Sequence, residues 1–235
     1  MFADMIAFFA DGSNWLGSTG ILARLGEHLW YSVLALVVAA VIAFPVGVLI
    51  GHTGRGVVFA VGAANVMRAL PSLGLMTFLV LIVGLGLASP VIALVLLAIP
   101  PLLAGVYSGI DNVPNDTVDA ARAMGMTERQ VIVQCELPIA LPLIVAGVRN
   151  AMLQVIATAM IAAYVNLGGV GRYIFDGLAV YDYGRMMVGA VLVTTLALAV
   201  DGILAAVGAL VVRRVRPRTE PPAKAARKKR QKVAA

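Results

Sequence analysis

Three ionisable residues interrupt otherwise uncharged apolar runs: Arg68, Arg149 and Asp201. A charge at membrane depth is costly and faces protein or water, so each is a candidate for lining a pathway. Each also has a structural reading: Arg149 at the interface where its helix meets the cytosol, Arg68 and Asp201 neutralised by pairing. For Asp201 the expected partner is Arg149, with Arg68 as the second choice. Bond-making chemistry has no such candidates. There is no Gly-x-x-x-x-Gly-Lys-Ser/Thr run to cradle nucleotide phosphates. The two histidines, His28 and His52, and the single cysteine, Cys135, show no zinc-ligand or nucleophile–base spacing. The chain is therefore read as non-enzymatic, with Cys135 a reduced, packed thiol.

Recognition is the other chemistry on offer. Asp111 to Glu136 is the one long polar stretch between apolar runs, and it is patterned as two short helices. Asp116 is expected to cap the first, with Asp119 in its first turn, and Gly125 suits the left-handed residue that ends it. Thr127 opens the second and Gln130 completes a capping box, after which the helix is expected to end near Pro138. Such a rigid helix–turn–helix presents a small knob to another protein.

The elements that hold these residues are membrane spans. Of 235 residues, 61% are hydrophobic and 13% charged, about half the roughly 25% charged of a soluble domain. Several uncharged runs exceed the ~18 to 20 residues that cross a bilayer as helix. The fold class is an all-α membrane protein with about five transmembrane helices. Spans are expected over about Leu29–Ile50, kinked at Pro45, then Val57–Gly86, Pro90–Ser108, Gly147–Val165 and Met186–Val212. The second, interrupted by Arg68, Pro71 and Gly74, is either one long bent span or two shorter elements; the third is expected to bend at Pro100–Pro101. The chain divides into an extracytoplasmic segment 1–28, a transmembrane domain 29–212 holding the polar loop 111–138, and a basic tail 213–235.

Formal net charge is +6, yet ten of eighteen basic residues lie between Arg213 and Lys232. Outside that tail eight basic residues face eleven acidic ones, which excludes a nucleic-acid binder. The tail places the C-terminus in the cytoplasm near anionic lipid and, with five spans, the N-terminus outside.

The polar loop also resembles a known signature. Asp119, Ala120 and Ala121, then Gly125 after three intervening residues, then Cys135, Glu136, Leu137 and Pro138 after nine more, are similar to the EAA loop of ABC importer permeases. Asp119 stands where that family has Glu and Cys135 where it has Ile. Arg68 to Leu75 (Arg-Ala-Leu-Pro-Ser-Leu-Gly-Leu) and Leu167 to Gly171 (Leu-Gly-Gly-Val-Gly) resemble segments of the glycine betaine, choline, carnitine and proline branch. The resemblance implies a coupling loop at Asp119, Ala120, Ala121, Gly125, Cys135, Leu137 and Pro138 that docks on an ATPase. It implies a multi-pass protein of a prokaryotic inner membrane, working with a second permease copy or paralogue, two ATPase subunits and an external binding protein. ATP and Mg would be bound by the ATPase, with no cofactor in this chain. Arg68, Pro71, Arg149, Gly168, Gly169, Gly171 and Asp201 are the pathway or gate candidates; the three glycines can be a hinge, part of an external gate or a plain helix cap. The expected solute is glycine betaine or a related osmoprotectant. Another small solute such as methionine is the alternative, and a stand-alone channel or secondary carrier is the alternative of a different class.

Overall fold

The structure, a computed structural model, describes residues 1–165 and 167–215. The tail expected over 213–235 lies beyond them from residue 216 on. Among the described residues every regular element is helical. A short helix α1 (Phe2–Ala10) and a single 3-10 turn lead into α2 (Ile21–Thr53), followed by α3 (Val57–Ala69), α4 (Ser72–Val83) and α5 (Ala88–Asp111). The polar loop holds α6 (Asn115–Ala123) and α7 (Glu128–Gln130), then a widened π turn, Val131–Glu136, that runs directly into α8 (Leu137–Ala162). A 3-10 turn, α9 (Gly171–Ala179) and α10 (Tyr183–Val215) complete the fold.

Among the described residues four helices are long and apolar enough to cross a membrane, and α3 with α4 makes a fifth if their pair, bent by 91°, counts as one span. The bend has a local cause. Pro71 lacks an amide donor and forces the residue before it out of helical geometry, and Leu70 and Pro71 are both extended, with ψ of 128° and 118°.

Packing decides between a crossing and a re-entrant loop. Gly47 abuts Val106 and Gly51 abuts Ile110, so α2 and α5 run parallel. Gly105 meets Gly147 whereas Gly109 meets Ala140, so α8 is antiparallel to α5; Gly208 on Val145 and Asp201 on Arg149 make α10 antiparallel to α8. Two parallel helices joined in sequence need a return crossing, and α3 with α4 supplies it. The first and last described segments therefore lie at opposite ends of the bundle, α1 beside the start of α10 at Gly184 and Arg213–Arg214 at the end that carries the polar loop.

Lipid offers no hydrophobic drive between helices, so close backbone approach must supply the contact. Ala35, Ala39, Ala43 and Gly47 are buried at every fourth position of α2; the three alanines pack with Ala93, Leu94 and Ala98 of α5 and Ala151, Val155 and Ala159 of α8 in one core, and Gly47 lies against Val106. At the α5–α8 crossing, a methyl group added to Gly105 would sit 2.5 Å from the Gly147 Cα.

The starts of two helices differ from the sequence-based expectation. α2 starts at Ile21 rather than near Leu29, extended by the mixed polar and apolar stretch Ile21–His28, and α8 starts at Leu137 rather than near Gly147, its added residues Leu137–Ala146 being apolar throughout. α5 passes through Pro100 and Pro101 without interruption, and Pro100 is buried.

The glycine crossing is directly testable. Gly147→Leu should destabilise the protein by about 1–3 kcal/mol through overpacking, read as a lower melting temperature in detergent. Gly62→Ala, with nothing within 4 Å of the added methyl, should leave melting unchanged or raise it.

Candidate coupling loop and solute cavity

The polar loop folds around its own small core. Val113, Val118, Ala121 and Val131 are buried together, with Met126, Cys135 and Ile139 packed on them. The paired alanines thus divide: Ala121 faces inward, while Ala120, Asp119 and Gly125 are exposed. Gly125 takes φ 84°, the left-handed region expected of it, and its amide donates to the Arg122 carbonyl at 2.9 Å. Met124, 77% exposed beside it, is the apolar tip of the knob.

Two local expectations fail. Pro114, not Asp116, occupies the cap position of α6, and its fixed φ of −59° preorganises the first turn; Asp116 sits inside that turn and Asp119 beyond it. The second loop helix does not end near Pro138. The Thr127–Gln130 capping box forms, with the Thr127 amide donating to Gln130 Oε1 at 2.8 Å. From there the chain continues through the π turn into α8. Pro138 cannot donate to the Gln134 carbonyl and its ring crowds it, and the widened turn relieves both. Leu137 packs on Val106, Ile110, Ala140 and Ile144 at the foot of α5 and α8.

A side-chain network absent from the sequence reading ties this loop to α2. His52, in the last turn of α2, places Nδ1 2.8 Å from Glu136 Oε2 and Nε2 3.0 Å from Glu128 Oε2. His52 thus bridges the two acids, one ring nitrogen to each. Glu136 is only 4% exposed, so His52 is the partner that makes its burial tolerable. Glu128 is held from the other side by Arg122, Nε to Oε1 at 3.0 Å and Nη2 to Oε2 at 3.1 Å. The hydrogen bonds to Glu128 hold the Arg122 guanidinium above its ordinary value.

Toward mid-span, α5 and α8 part around a cavity of about 760 Å³. One face of α8 lines it from Leu143 through Gly147 to a polar ladder at Asn150, Gln154 and Thr158; α5 contributes Pro101, Gly105 and Ser108. The broken helix pair adds Arg68 and Ser72 from either side of Leu70–Pro71, so Pro71 acts by making the break rather than by lining the space.

The remaining candidates lie elsewhere. Arg149 and Asp201 form the expected pair, Nε to Oδ1 at 2.8 Å and Nη2 to Oδ2 at 2.7 Å, a bidentate clasp between α8 and α10 outside the cavity. Gly168, Gly169 and Gly171 form no helix cap, since α8 has already ended. Gly168 and Gly169 press instead against α2: Gly169, with φ 85°, donates its amide to Glu27 Oε2 at 2.7 Å, and the same oxygen accepts from Arg24 at 2.8 Å. Gly171 opens α9 close under the Met160 carbonyl. Glu27 and Arg24 carry no motif, and only the cost of charged residues beside an apolar run could have flagged them.

The Arg149–Asp201 clasp predicts a specific coupling. Arg149→Asp should lower the melting temperature in detergent, and adding Asp201→Arg should recover part of the loss. Strict additivity of the two single shifts would show that the residues do not interact.

This arrangement has counterparts. Residues 43–218 match the family model described as binding-protein-dependent transport system inner membrane component. The Bacillus subtilis glycine betaine/carnitine/choline transport system permease protein OpuCB is 35% identical over 185 residues, covering 79% of this chain and 85% of that protein. The choline transport system permease protein OpuBB of the same organism is 33% identical over the same shares of the two chains. An inward-facing structure of the MetNI methionine ABC transporter shares the fold with TM-score 0.72 at 24% identity, over 84% of this chain and 96% of the other. An amino acid ABC transporter solved with histidines does so with TM-score 0.64 at 16% identity, over 91% and 98%. With a knob on the end of a cavity-lining helix, and matches that span most of its length, this chain belongs to the family of inner-membrane components of binding-protein-dependent transport systems.

Proposed function

We propose that the chain is the permease subunit of an ABC importer for glycine betaine or a related osmoprotectant, and that the loop 111–138 is where an ATPase subunit drives it. Membership of this family makes it a transport subunit and not an enzyme, working with an ATPase and a substrate-binding protein. The observation that carries the mechanical part is continuity. α7 passes without a break into α8, whose inner face lines the cavity, and His52 fastens the same loop to α2. A push on Ala120 and Ala123 of α6 and on Met124 passes through the packing of Val118 and Ala121 on Val131 and Cys135 into α8, and so to the cavity wall. The solute follows from similarity to permeases named for glycine betaine, carnitine and choline. ATP and Mg belong to the ATPase subunit in this reading, and the cavity is completed by a second permease, identical or related. Arg213 and Arg214 at the loop end of α10 support a cytoplasmic loop and C-terminus, with α1 outside.

Reconstitution of the complex with its ATPase and binding protein tests the proposal. Glycine betaine should stimulate ATP hydrolysis and enter the vesicles. Gly125→Val should still insert but lose most uptake, because a β-branched residue resists φ 84°; wild-type uptake by that variant would refute the coupling role. His52→Leu leaves Glu136 buried without its partner, at a cost of roughly 3 kcal/mol, and should weaken retention of the ATPase in pull-down.

A further inference from the structure

Among the described residues Arg68 is the one charged group lining the 760 Å³ cavity. Among the described residues it has no ion-pair partner, unlike Arg149, Arg122 and Arg172, each held by a carboxylate. Among the described residues that line the cavity none is acidic and none aromatic. Its other polar groups are neutral, and the side chains of Ser72, Ser108, Asn150 and Gln154 make no hydrogen bond within the described chain. A smaller adjoining cavity of about 190 Å³ shares Arg68 and Ser108 and adds Asn65 and Tyr107.

This lining sorts the solutes that family similarity leaves together. A bare quaternary ammonium is held by carboxylates or by a cage of aromatic faces; here it would meet a free guanidinium and a single tyrosine. A carboxylate meets the group best suited to it, since guanidinium binds carboxylate through two parallel charge-assisted hydrogen bonds, with hydroxyl and amide donors nearby. We propose that Arg68 is an anion subsite in the solute path, taking the carboxylate of a small zwitterion, so that the permease itself favours carboxylate-bearing solutes over simple cations. The break at Leu70–Pro71 serves this purpose by ending α3 where Arg68 can face the cavity. Tyr107, beyond Arg68, is then placed to receive the cationic or methylated end.

The inference rests on the importer reading, and the two fail differently. Equilibrium binding of radiolabelled glycine betaine, choline and proline is measured on the permease–ATPase complex in nanodiscs without binding protein, which removes that protein's own selectivity. Glycine betaine and choline share the trimethylammonium group and differ in the carboxylate. Wild type should bind glycine betaine at least about tenfold tighter than choline, the factor expected for one charge-assisted hydrogen bond. Arg68→Gln should remove that advantage by weakening glycine betaine while leaving choline unchanged or improved, and Arg68→Lys should restore much of it. Retention of the ATPase by Arg68→Gln on gel filtration confirms an intact complex. Equal affinity of wild type for glycine betaine and choline, or Arg68→Gln binding glycine betaine like wild type, would overturn the subsite. Binding of proline but of neither trimethylammonium solute, lost in Arg68→Gln, would refute glycine betaine as the solute while upholding the subsite. Failure of both glycine betaine and proline to bind wild type would overturn the subsite itself.

Discussion

Everything in this bundle depends on backbone approaching backbone. Between apolar helices in lipid, burial against a neighbour is hardly better than burial in acyl chains, so only dense contact distinguishes the folded arrangement. The α2 stripe of Ala35, Ala39, Ala43 and Gly47 and the Gly105–Gly147 crossing provide that contact without long side chains. They also fix directions. With α2 parallel to α5, the α3–α4 pair has to cross, and its break is left beside the cavity. Small residues at Gly105 and Gly147 hold the helices close at one level while polar side chains one to three turns farther along α8 face open space.

The sequence disclosed the parts of this fold that depend on composition and on local backbone rules. Long apolar runs revealed the spans, Gly125 announced a left-handed turn, and Thr127 with Gln130 announced a capping box. The break at Leu70–Pro71 was visible too, since a proline acts on its immediate neighbours. Expectations failed where a local signal had two uses. Asp116 is as acceptable inside a first turn as at its cap, and Pro114 took the cap. Pro138 reads as a helix stop unless the preceding turn can widen, and whether it can depends on tertiary support from His52 and the loop core.

The site was legible in a similar division. The Arg149–Asp201 pair followed from the cost of a lone carboxylate within an apolar helix, an argument needing no coordinates. The spacing of Asp119, Ala120, Ala121 and Gly125 located the loop, but not that Ala121 is core and Ala120 surface. The contacts of His52 with Glu128 and Glu136 lie 76 and 84 positions away in sequence, and no periodicity relates them. Asn150, Gln154 and Thr158 did carry a signal, a polar residue every fourth position of an apolar helix, which marks one face as wet. Arg68 entered as a candidate because it was charged; that it stands unpaired is a property of the assembled bundle.

α2 is fastened at both extremities. Near its start Glu27 grips the backbone of the loop after α8, and in its last turn His52 grips the loop before α8. At 1.5 Å per residue its 33 residues make a rod of about 50 Å. A rod pinned at two points along the same neighbour cannot tilt at one end while the other stays still. A displacement at one extremity of α2 is then shared with the other through α8 instead of remaining local. Pro45, which leaves the Val41 carbonyl without its helical donor, is the one compliant joint along the shaft. Its position toward the His52 end means that whatever flexing the rod permits is absorbed nearer the loop 111–138, and the opposite end swings as a stiff arm.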